Sequence, residues 1–185
     1  MGMENMFFAM VDEPEAFLQL VRFVTDELHR FLRWQEDNGL LKLNYGNDYM
    51  GSGSYCFFED EKLPAAPVKS TDLWGHLNSQ ESVGLSPDMF RQFIFPCYEE
   101  MAREFRFIYY GCCEPVDTIW ECCLSKMENL RKVSISAWCN EAFMAEQLAG
   151  GQTIYSRKPS PNFIGVEQRF DAAAFRRHIE HTARL

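Results

Sequence analysis

Four short stretches carry side chains able to do chemistry, and each follows a run of strand-forming residues. They are Asn47-Asp48, Cys112-Cys113-Glu114, Ser136-Ala137-Trp138-Cys139 and Arg157-Lys158-Pro159. A carboxylate such as Asp48 or Glu114 can act as a general acid or base. A thiol such as Cys112 can act as a nucleophile, a methyl acceptor or a metal ligand once it loses its proton. Arg157 presents a fixed fork of donors to a carboxylate or phosphate, and Lys158 adds a point charge. Asn47 and Trp138 stand at the same ends and are candidate substrate contacts.

Each of these residues also has a plainer reading. Asp48 can cap the turn that follows it. Arg157 and Lys158 can pair with acids, which are plentiful in a chain of net charge -9. Cys112 and Cys113 point opposite ways if their strand continues, so at most one faces a site. His76, in Trp74-Gly75-His76, is either a loop ligand or general acid, or a solvated loop histidine. A zinc ion needs three or four converging ligands. The candidates are Cys112, Cys113, Glu114, Cys139, Asp48 and His76, and the alternative is a set of inert thiols. Cys122-Cys123 falls mid-helix and reads as packing. His178 and His181 fall on the polar side of the last helix. The seven cysteines, with two adjacent pairs, make a poor disulfide framework. They read as reduced thiols in a cytoplasmic compartment.

The elements that must position these residues follow from periodicity. Asp12 reads as the N-cap of a long helix with Pro14 in its first turn. Phe17, Leu20, Val21, Val24, Leu28, Phe31 and Leu32 recur at three- and four-residue steps, which predicts one apolar, core-facing stripe. Asn38-Gly39 ends that helix. Leu40–Tyr45 reads as a strand, and 49–85 as a long loop insertion. Ser86 and Pro87 start a second helix with Phe90, Phe93, Ile94, Cys97, Met101 and Phe105 on its buried side. Phe107–Tyr110 is a strand, Asp117–Met127 a short helix, and Val133–Ser136 a strand. Glu141–Leu148 is a helix, Thr153–Tyr155 a strand, and Asp171 caps a final helix. Strands alternating with helices predict a parallel α/β domain over 1–185.

Composition removes other classes. Hydrophobic residues make up 46% and charged residues 24%, the balance of a globular chain. A net charge of -9 argues against a nucleic-acid partner. No apolar run is long enough for a membrane span. There is no dinucleotide glycine fingerprint after a strand and no phosphate-binding P-loop.

The blocks LSPDMFRQFIFPCYEEM, YYGCCEP, NLRKVSISAW and TIYSRKPSPNF, with the strand end GNDYMGSG, resemble the uroporphyrinogen decarboxylase superfamily. They look closest to its branch grouped with cobalamin-dependent methyltransferases. The resemblance runs from Asp12 onward. It implies a (β/α)8 TIM barrel, and 185 residues against the roughly 250 of a whole barrel imply a partial one holding the middle-to-late strands. It implies a methyltransferase-like or decarboxylase-like site at the strand ends, with zinc or a corrinoid as cofactor. Cys112 matches the family's first zinc-binding cysteine, Tyr110 stands where the family has histidine, and the distant cysteine has no counterpart. The substrate-holding arginines of the early strands have none either, so a truncated chain with little activity alone is expected. The alternative is a non-catalytic tetrapyrrole- or anion-binding half-barrel. A homodimer or a partner chain that completes the barrel through open sheet edges is expected in either case.

Overall fold

The computed structural model describes residues 2–46, 48–51, 54–57, 64, 66–163, 165–166 and 169–185. Asn47 lies outside the described residues.

Two helices open the chain, α1 (Met3–Asp12) and α2 (Pro14–Asp37). Asp12 therefore ends α1 and does not cap α2; the N-cap is Glu13, with no side-chain bond. Pro14 suits the first turn because its missing N–H has no partner there in any helix. Leu40–Tyr45, expected as a strand, is irregular. It still runs beside the sheet, because the Asn44 side chain donates to the Trp74 carbonyl and accepts from the Trp74 N–H, each at 3.0 Å. One amide side chain thus stands in for a strand at that edge.

The segment 49–85 is not a plain loop. It holds a two-stranded hairpin, β1 (Tyr49–Met50) with β2 (Ser54–Tyr55), and then β3 (Trp74–Leu77), the first strand of the main sheet. His76 is accordingly a strand residue. After β3 come α3 (Pro87–Phe93) and α4 (Phe95–Ala102), then β4 (Phe107–Tyr110), β5 (Leu130–Ile135), α5 (Glu141–Leu148), β6 (Ile154–Arg157) and α6 (Ala172–Thr182). The helix begun by Ser86 breaks at Ile94, because Pro96 supplies no N–H to the turn before it. Asp117–Met127 is a pair of 3-10 turns in place of the expected helix.

The four strands β3-β4-β5-β6 lie in sequence order and all pair parallel. This is an α/β fold with a parallel sheet flanked by helices; the four strands do not close into a barrel. Side chains alternate between the two faces of each strand. On one face, Ile108, Tyr110, Leu130, Val133 and Ile135 join Phe90, Phe93, Phe95, Ile119, Met144 and Leu148 in the main core. Every crossover packs on this face. The opposite face carries Trp74, Tyr109 and Lys132, and the hairpin with Cys56 covers it.

That second face buries an ammonium group. Lys132 is 3% exposed. It donates to the Ser54 hydroxyl at 3.0 Å and to the Tyr55 carbonyl. Its nitrogen also lies 5.6–5.8 Å from the ring centres of Phe57, Trp74 and Tyr109. Aromatic faces attract a cation electrostatically and more so when water is excluded. Among the described residues no carboxylate pairs with it. Burial pushes its amine below the ordinary 10.5.

The long helix meets its expected orientation only in part: Phe17 and Leu32 are buried and Val21 packs against the core. Leu20, Val24, Leu28 and Phe31, read as core from their spacing, are exposed, together with Phe23 and Trp34. Besides Phe17, Val21 and Leu32, the helix docks through polar residues. Arg22 meets Glu100 at 2.5 Å, His29 meets Glu100 and Glu104, Arg33 meets Glu104, and Glu36 accepts from the Ser70 N–H and hydroxyl. Periodicity defines an apolar face but not what that face meets. Among the described residues no helix is long and apolar enough to cross a membrane.

Because Lys132 has a folded pKa below its unfolded one, it sheds a proton more readily in the native state. Its stability penalty is full below the folded pKa and fades as pH rises toward 10.5. Urea titrations of the wild type and Lys132→Met across pH 7 to 10.5 should show the wild type gaining on the variant as pH rises. A constant difference would refute the assignment.

Candidate functional site

The carboxyl ends of the four parallel strands form one rim. Chemistry on parallel sheets is carried there because loops and unpaired backbone groups gather at that edge. Gly111 ends β4 with φ of +98°, a conformation that side chains rarely adopt. An added Cβ would also come within 3.1 Å of Ser134 Cβ. The chain thus turns sharply and presents Cys112-Cys113-Glu114 across the rim.

Glu114 is the rim's clamp. It is buried, one carboxylate oxygen accepts from the Ser79 N–H after β3, and the other accepts from the Cys112 N–H, both at 2.9 Å. The Cys112 carbonyl in turn accepts from the Ser134 hydroxyl of β5 at 2.8 Å. The expected catalytic acid therefore ties the ends of β3 and β4 together through backbone groups, and the Ser134 hydroxyl adds β5. Bonds to a buried charge of this kind contribute about 1.5–3 kcal/mol each.

Arg157 is also committed to structure. One guanidinium nitrogen donates to the carbonyls of Ile135, Ser136 and Lys158, and the other to Glu141 at 2.6 Å. The anion contact expected of it is replaced by this internal network, because three rim carbonyls and a carboxylate already surround the fork. Lys158 stands beside it, and its charge reaches both His76 and Cys113.

His76 packs its ring 5.1 Å from that of Tyr109, and its Nε2 lies 3.2 Å from the Gly111 carbonyl. Gly51 of the hairpin lies against the same ring, where a Cβ would come within 2.5 Å. Burial pushes the imidazole below 6.5, the Gly111 bond opposes this, and Lys158 lowers it further. It is a neutral, packed residue.

The thiols divide by exposure. Cys113 is exposed, Cys112 half-buried, and their sulfurs lie 3.6 Å apart. Burial and the neighbouring Cys112 thiol push the Cys113 thiol up, which disfavours the thiolate. Cys139 is buried and accepts from the Val116 N–H through its sulfur at 3.4 Å. Cys123 is buried and pushed up to about 12. Among the described residues no group of three His, Cys, Asp or Glu side chains could hold a metal. The zinc set expected around Cys112 and His76 does not converge. Asp48 is exposed at the start of the hairpin, where its carbonyl accepts from the Cys56 N–H. Among the described residues, no hydrogen bond or ion pair joins it to the rim.

A groove of about 400 Å³ opens on the rim, lined by Gln80, Val83, Cys113, Glu114, Pro115 and Trp138. Trp138 is 64% exposed and offers a flat apolar face. The sequence signalled Trp138, Cys113 and Glu114 by their place after strands. It gave no sign of Gln80 and Val83, which sit in the segment read as loop. No family model, curated protein or solved structure matches the chain.

Removing the clamp should loosen the rim. Glu114→Ala leaves two backbone N–H groups without their acceptor, and about 2–4 kcal/mol of stability should be lost in urea unfolding. Glu114→Gln, which keeps an acceptor, should lose less. Equal losses from both would contradict the bonding described.

Proposed function

We propose that the sheet is a section of a uroporphyrinogen decarboxylase-like (β/α)8 barrel, related to the cobalamin-dependent methyltransferases. Its rim groove binds a flat, carboxylate-bearing tetrapyrrole in the cytoplasm without turning it over. The observation that carries this reading is the strand order. Doubly wound sheets place ligands where the order reverses. Here four parallel strands follow one another in sequence with all crossovers on one face. That is the local arrangement of a barrel, whose sites lie across successive strand ends.

The groove suits a flat ligand at one wall and an anionic one at its edge. Trp138 supplies the stacking face, and the Lys158 charge acts on the Cys113 side of the groove. Binding without turnover follows from the residues that would carry the chemistry. Glu114 and Arg157 are held by backbone groups, and the Cys113 thiol is pushed away from its reactive form. A metal-activated thiolate has no ligand set among the described residues.

Titration with uroporphyrin, followed by its Soret band, tests this reading. Saturable binding is expected, weakened about tenfold by Trp138→Ala, equivalent to about 1.4 kcal/mol, and further by Lys158→Gln. Unaltered binding in both variants, or none by the wild type, would refute it. Loss of substrate carboxylates when uroporphyrinogen is incubated with the chain would refute the absence of turnover.

A further inference from the structure

Among the described residues, nothing covers the apolar face of α2. Leu20, Phe23, Val24, Leu28, Phe31 and Trp34 share one side of the helix and all lie open, with Phe23, Phe31 and Trp34 at 60%, 56% and 52% exposure. Phe31 and Trp34 stack on each other at 5.8 Å. The helix is fixed to the body through Phe17, Val21 and Leu32 and, by its other side, through the polar contacts of Arg22, His29, Arg33 and Glu36. Exposed ion pairs contribute little each. A large apolar face held outward marks an interaction site.

We propose that α2 is the interface of a homodimer, in which it packs antiparallel against α2 of a second copy about a two-fold axis near Glu27. Four of the six residues are self-complementary about this axis. Leu20 and Trp34 lie seven residues either side of Glu27, and Phe23 and Phe31 lie four residues either side. An antiparallel pair thus sets Leu20 opposite Trp34 and Phe23 opposite Phe31 in both directions, as a two-fold contact requires. Glu27 and Arg30 pair with each other on this same face. Near the axis, Arg30 of each copy falls within a helical turn of Glu27 of the other, so the pairs can exchange and leave no charge alone.

The area agrees. Six large side chains about half open leave on the order of 500 Å² of apolar surface per copy. With its polar rim, the pair would bury about 1,200 Å², the lower end of stable interfaces. Charge favours a protein over a lipid surface. The helix carries Glu15, Asp26, Glu27, Glu36 and Asp37 against Arg22, Arg30 and Arg33, in a chain of net charge -9. Membrane-surface helices rely on basic flanks. The β3 edge of the sheet is a poorer route to a dimer, because Asn44 already occupies the Trp74 backbone groups.

Light scattering on the full chain at about 50 μM is the test. The wild type should show twice the 21.6 kDa chain mass, and Phe23→Glu with Phe31→Glu should show the single mass with unchanged far-UV circular dichroism. A monomeric wild type overturns the proposal, as does a dimer that survives both substitutions. Should the double variant not fold, Glu27→Cys decides. Mild oxidation should give a cross-linked peptide joining position 27 of the two copies, identified by peptide mass analysis, and a folded variant without that link overturns the antiparallel pairing. Sedimentation of a monomeric wild type with phosphatidylglycerol vesicles would give the face to a membrane and overturn the dimer.

Discussion

Lys132 brings an ammonium group under the sheet, and the face away from the helices is organised around it. A cation taken out of water is costly unless its donors are satisfied and its charge is met. Here three rings supply the electrostatics, and the hairpin supplies the acceptors, Ser54 and Tyr55. The hairpin is too short to persist alone, since an isolated two-stranded ribbon is marginal in water. It is held because it closes over Lys132 and Cys56. Gly51, after β1, then lies on His76, and His76 bonds to the Gly111 carbonyl at the rim. A buried charge on one face of β5 is thereby linked through the hairpin and His76 to the rim.

The two faces of the sheet solve different problems. The helix face is an apolar core of the ordinary kind, with Ile108, Val133 and Ile135 fully buried. The hairpin face is aromatic and polar, and its packing rests on a few directed contacts. The rim lies between them, and its stiffness comes from backbone bonding by Glu114 and Arg157. Both residues have the chemical type of a catalytic pair. Their burial against backbone groups turns them into positioning residues for the groove, with Trp138 and Cys113 left at its surface.

Much of the helix–strand alternation could be read from local pattern. Phe107–Tyr110 and the apolar core of β5 were visible as short apolar runs, and Ser86 and Asp171 as N-caps, each accepting from the N–H three residues on. Trp74–Leu77 was not, because WGHL lacks the β-branched run of a strand and is defined only by its partner β4. Leu40–Tyr45 failed the other way: it has the pattern, but Asn44 side-chain bonding replaces the ladder. The orientation of α2 was hidden because a spacing rule cannot say that Glu100 and Glu104 would hold its polar side. At the site, the strand-end positions of Cys112, Glu114, Trp138 and Arg157 could be read. The roles of Glu114 and Arg157 could not, since they depend on carbonyls and N–H groups brought together from other strands. Lys132 drew no notice inside LRKVSI, because only the fold places three rings around it.

The burial of Lys132 is open to direct measurement by competitive acetylation of the native chain with trace acetic anhydride, followed by peptide mass analysis. Lys42, Lys69 and Lys126 are exposed and report the ordinary rate. An amine with a lowered pKa would be more reactive than these if reagent reached it, so protection reports closure of the hairpin alone. Lys132 should be modified at least about tenfold more slowly than the exposed lysines in the folded protein, and at their rate in urea; an opening cost of about 1.4 kcal/mol suffices for that factor. Modification of Lys132 in the native chain as fast as Lys126 would contradict the caged ammonium and the hairpin that depends on it.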